Sequence, residues 1–98
     1  MSNKFPDNPN DLLPELPRDK KGSIYPADNI RIRPEKHSLE LGDTYNSRHH
    51  GQHYHVEKRI DPSRSWGRNE NIYKIKPNGY KLGDGTGFLP GENFPGAG

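Results

Sequence analysis

The chain has 98 residues, room for one small domain and one site or surface; 27% of them are hydrophobic and 29% charged, with 11 glycines and 10 prolines, so any core is thin and loops are long. There is no cysteine, which excludes disulfide staples and thiolate metal sites, and no apolar run approaches the roughly 18 residues of a membrane-spanning helix. The formal charge is only +2, yet residues 29 to 76 hold ten Lys/Arg against six Asp/Glu, a local excess of 10 − 6 = +4, and all five histidines lie between positions 37 and 55. That balance favours a polyanionic partner over an acidic or neutral one.

Residues 1 to 22 carry Pro6, Pro9, Pro14 and Pro17, spaced to interrupt any helix, and their charges cancel. They are predicted to form a Pro-rich disordered arm or linker, with a single compact basic domain over 23 to 98. No signal-peptide hydrophobic stretch is present in this arm. In the domain, NIRIR (29 to 33) alternates as a half-buried strand, and Pro34 ends it or marks an edge. HSLEL (37 to 41) reads as a second short extended piece. The clearest strand runs from Gln52 to Ile60, rich in β-favouring Tyr54, Val56 and Ile60, and stops at Asp61-Pro62. Ile72 to Lys76 alternates again, with Tyr73 and Ile75 expected to face inward. The remaining tail holds most of the glycines and should wrap as turns pinned by Tyr80, Leu82, Phe88, Leu89 and Phe94.

The segment RHHGQHYHVEKR (48 to 59) carries the chemistry. On a strand, alternate side chains share a face, so His53, His55, Glu57 and Arg59 point one way and Gln52, Tyr54, Val56 and Lys58 the other. Imidazoles about 6.6 Å apart along a strand can serve the attacking hydroxyl and the leaving oxygen of a phosphodiester, and a histidine near its ordinary pKa offers both protonation states at neutral pH. The acid/base candidates are therefore His53 and His55, with Glu57 as orienting or auxiliary base and His50 in reserve. Arg48, Lys58 and Arg59 are the expected phosphate contacts, with His49 and Tyr54 as further substrate contacts. Gly51 lets the backbone kink so that His49 or His50 can turn toward the same pocket. A competing reading is a metal site: His50, His53 and His55 offer a Zn or Mn chelate, although neither HExxH nor the cupin spacing is present. A third is a noncatalytic binding strand for nucleic acid or protein. Trp66 can stack on a base or serve as a core anchor, DGTG (84 to 87) reads as a tight turn or a phosphate-holding one, and His37 can join the basic face.

The Pro-rich arm, the cysteine-free basic domain with RHHGQHYHVEKR and the ending GTGFLPGENFPG together resemble the small C-terminal nuclease toxin domains of bacterial polymorphic toxin systems, of the contact-dependent inhibition and Rhs types. The likeness spans roughly residues 24 to 96. It implies a helix-plus-twisted-sheet scaffold, and with the strands read above the expected fold is α+β, β-rich: a small twisted antiparallel sheet of three to five short strands, long Gly/Pro-rich loops and a mobile N-terminal arm. It further implies a metal-independent ribonuclease, RNA as substrate, a cognate immunity protein as partner, no cofactor and no membrane, with release by the producer and action in the target-cell cytoplasm.

Overall fold

A computed structural model describes residues 3–95. Four strands, β1 (Ile24–Ala27), β2 (Ile30–His37), β3 (Gly51–Arg59) and β4 (Ile72–Ile75), form one antiparallel sheet in the order β1-β2-β3-β4. Sequence order equals spatial order, so each strand returns beside its predecessor. β2 and β3 are the long central pair, in register from Ile30 opposite Lys58 to His37 opposite Gly51. The β-rich half of the expected class is present; the only helices among the described residues are single 3₁₀ turns at Pro9–Asp11 and Asn69–Asn71. None is long and apolar enough to cross a membrane.

β2 runs through Pro34, which the sequence offered either as a strand end or as an edge position; it is the second. β1 pairs with β2 only between Ile24 opposite Ile32 and Ala27 opposite Ile30, so at Pro34 one side of β2 has no neighbouring strand. A residue without an N–H is tolerated at such an edge. HSLEL is not a strand: β2 stops at His37, and Leu39 and Leu41 are exposed.

The core fills one face, with Ile24, Ile32, Tyr54 and Val56 from the sheet and Phe5, Leu12 and Phe88 laid over them. Phe5 stacks on Tyr54 at 5.0 Å and meets Phe88 at 5.1 Å and Phe94 edge-on at 4.8 Å. Two of these core residues belong to the stretch expected to be a mobile arm. Proline prevents a helix there but not close packing of an extended chain. Phe5 N donates to Glu92 O and Gly91 N to Phe5 O, pairing the first residues with the tail, and the Tyr54 hydroxyl donates to Pro6 O at 2.6 Å. The Arg18 guanidinium donates to the carbonyls of Pro9, Leu12, Leu13 and Leu16, satisfying a run of backbone that has no other ladder. In β4, Ile75 packs on the core as expected, but Tyr73 is half exposed because the apolar layer ends before reaching it.

Candidate functional site

The other face of the sheet is polar. Alternation on β2 puts Arg31, Arg33, Glu35 and His37 on it, and the register sets them opposite Glu57, His55, His53 and Gly51 of β3. Charges of opposite sign therefore meet across the ladder. The Glu57 carboxylate is buried and accepts from Arg31 Nε (2.8 Å) and from Arg33 Nε and Nη2 (2.9 and 3.1 Å). Burial pushes its pKa up, but the Arg33 and Arg31 hydrogen bonds outweigh it and hold the group below the usual carboxylate range. Expected as an auxiliary base, Glu57 has its acceptor capacity spent on two guanidiniums.

Glu35 is the hub of the imidazoles. Its Oε2 lies 2.8 Å from His37 Nε2, 3.5 Å from His55 Nε2 and 3.9 Å from His53 Nε2, and Arg33 Nη1 donates to Oε1. Burial raises its pKa, while the hydrogen bond to His37 and the charge of Arg33 bring it below the ordinary value, so it is ionised at neutral pH.

His53 and His55 share this face, as the alternation requires, with ring centroids 5.0 Å apart. Neither lies open to a substrate. His53 has no exposed surface, and His55 is 7% exposed. Burial depresses both pKa values; for His55, burial and the nearby Lys74 charge bring it to about 4, so the ring is neutral at pH 7. His53 donates from Nδ1 to Gly51 O at 2.9 Å, which fixes its tautomer, and its Nε2 is buried with no hydrogen-bond partner among the described residues. What covers these rings is the DGTG stretch. Cβ atoms built on Gly85 and Gly87 would fall 2.7 Å from Arg48 Cβ and 2.6 Å from His53 Cδ2, so only glycine lets this segment press so close. Thr86 Oγ1 lies 3.3 Å from His55 Nδ1.

The other expected site residues separate. Gly51 takes φ 70°, the expected kink. Past it His49 swings in, stacked on His37 at 5.1 Å and 6.4 Å from His53, both rings open to solvent. His50 meets His49 edge-on at 4.8 Å but commits its nitrogens elsewhere: its Nδ1 accepts from Asn46 N and its Nε2 faces Asp43 at 3.6 Å. Arg48 turns away from any phosphate to clasp both Glu92 oxygens (2.5 and 2.7 Å) and donate to Gly87 O. Tyr54 is fully buried in the core, and Lys58 is exposed on the core side of the sheet. Arg59 holds the carbonyls of Asp28 and Arg64, and with Arg31 stacks on Trp66 (5.2 and 4.5 Å). Beside the cluster, a cleft of ≈ 610 Å³ is lined by Lys21, Arg31, Arg33, Glu57, Trp66 and Lys74, among others.

Sequence reasoning missed Glu35, Arg33 and Thr86. A signal existed for the first two: RIRPEKH alternates in register with HVEKR, but stopping the strand at Pro34 broke the pattern. Thr86 lies in the DGTG turn noted above, but nothing in the sequence ties that turn to His55. Among known proteins nothing helps place the site, for no family model, no curated protein and no solved structure matches this chain.

Proposed function

We propose that the chain binds RNA on the polar face of its sheet and cleaves it at the imidazole cluster. The observation that carries this reading is the stacked, solvent-open His37/His49 pair standing over Glu35, beside a cationic cleft that holds Trp66. Cleavage of an RNA phosphodiester requires one group to take the 2′-hydroxyl proton, another to protonate the departing 5′-oxygen, and cations to stabilise charge on the phosphoryl oxygens. His37 and His49 are the two imidazoles able to meet a substrate. They take over the acid/base roles first assigned to His53 and His55, which sit behind them. Arg33 and Lys74 are cations on the same face, lining the cleft, and Trp66 with its two stacked arginines offers a platform for a base. The local charge excess and the resemblance to toxin nuclease domains support the same substrate class. In this reading a cognate immunity protein acts by covering the polar face.

The test is incubation of total RNA with the purified chain and its variants. Wild type and Lys58→Ala should shorten RNA alike, whereas the double variant His37→Ala/His49→Ala should lose about 10²-fold or more in rate. Undiminished cleavage by the double variant overturns the assignment, and retarded RNA of full length would make the chain a binder without catalysis.

A further inference from the structure

His53 presents an unused lone pair. Because its Nδ1 N–H is committed to Gly51 O, the neutral ring offers a bare acceptor at Nε2, which is buried without a hydrogen-bond partner among the described residues. Burying such a nitrogen is unfavourable unless something takes its electron pair. The atoms around it are also electron-pair donors: Glu35 Oε2 at 3.9 Å, itself 3.5 Å from His55 Nε2, with all three donor atoms within 4.8 Å of one another. Two imidazole nitrogens and a carboxylate oxygen gathered this closely, one of them a buried and bare acceptor, describe a cation site.

We infer that Glu35, His53 and His55 bind one divalent transition-metal ion of the Zn(II) class. Two imidazoles and a carboxylate form a nitrogen-rich set that suits zinc better than calcium or magnesium, which take oxygen ligands. A tetrahedral ion with bonds of about 2.0–2.1 Å sets its ligand atoms roughly 3.3 Å apart, so the Glu35 spacings of 3.5 and 3.9 Å to His55 and His53 close onto it by roughly 0.2 and 0.6 Å. The outer contacts are those that ligating histidines require: His53 donates its second N–H to a backbone carbonyl, and His55 turns its other nitrogen to the Thr86 hydroxyl. His37, hydrogen-bonded to Glu35, holds the carboxylate from the solvent side. Three protein ligands leave a fourth position, the pattern of reactive and not of closed structural zinc sites. The carboxylate of β2 thus takes the place that the sequence reading gave to His50. This inference goes beyond the RNA reading and does not depend on it, since the ion is measured without RNA.

The experiment is calorimetric titration of the chelator-treated full chain with zinc chloride, paired with the visible spectrum of the cobalt(II) form. Wild type should bind one ion per chain and give the intense bands of a four-coordinate site, and magnesium should not compete. Glu35→Gln, which alters a partly exposed side chain, and His53→Ala should each weaken binding by at least about 100-fold, and Thr86→Val by about tenfold; His50→Ala should bind as wild type. Circular dichroism of each variant separates loss of the site from loss of the fold. No zinc binding to folded wild type, or binding that survives Glu35→Gln but falls with His50→Ala, overturns the assignment. Zinc binding with intact RNA would leave the metal site standing and remove the nuclease reading.

Discussion

On one face of the sheet Tyr54, Val56 and Ile32 lie under Phe5, Leu12 and Phe88; on the other, Glu57 lies under two arginines and His53 under Gly87. Both faces are buried at β3, where residues 53 to 57 are all covered, yet the cover differs in kind. Apolar contact is indifferent to the identity of its neighbour, so the first face can recruit its covering residues from both ends of the chain. The second holds ionisable groups whose burial is tolerable only when each finds a specific partner. The unpartnered His53 Nε2 stands out against that rule, and it stands where the imidazoles converge.

The contrast can be broken from either side. The largest loss is expected on the apolar face: Tyr54→Ala removes a fully buried ring and its hydroxyl bond to Pro6, and should cost about 3–5 kcal/mol in urea unfolding. A loss below about 1 kcal/mol would mean that the N-terminal segment does not pack as described. On the polar face Glu57→Gln leaves two guanidiniums against a neutral amide. The expected cost is about 3 kcal/mol, the low end for a broken buried pair, because Arg31 and Arg33 keep 17% and 28% of their side-chain exposure. If Glu57 were instead a dispensable base, RNA cleavage would fall while stability held.

Gly87→Ala tests the cover itself. Its new methyl would meet His53 and the Arg48 carbonyl at 2.6 Å, so about 1–3 kcal/mol should be lost through overpacking. An unchanged denaturation midpoint would show that the DGTG stretch does not rest on His53. The smallest effect concerns Glu92, which the Arg48 hydrogen bonds, against the pull of burial, hold below the ordinary carboxylate pKa. A depressed folded pKa means that its contribution is complete above the unfolded value of about 4.3 and is lost as pH falls through the folded one. Glu92→Gln should therefore cost about 1 kcal/mol at pH 7, and the difference from wild type should shrink under acid. A gap that widened as pH fell would contradict the pairing.

Much of this was legible in the chain. Alternation at β3 assigned Tyr54 and Val56 to one face and His53, His55 and Glu57 to the other, and the glycine at 51 announced the kink. Strand β2 was legible only as far as Pro34, since a lone sequence does not say on which side a strand lacks a neighbour. The arm was misjudged for a related reason: proline spacing reports what backbone is forbidden, not which core Phe5 and Leu12 will enter.

Local periodicity, then, determined which residues share a strand face, because side-chain direction in extended chain depends only on parity. Which strands lie side by side, and so which carboxylate meets which imidazole, is a matter of register. The pairing of Glu35 with His53, the spending of Arg48 on Glu92 and the lowering of Thr86 onto His55 all join residues 18 to 44 positions apart. Contacts of that kind are settled by how whole strands and loops pack, and only the tertiary structure decides them.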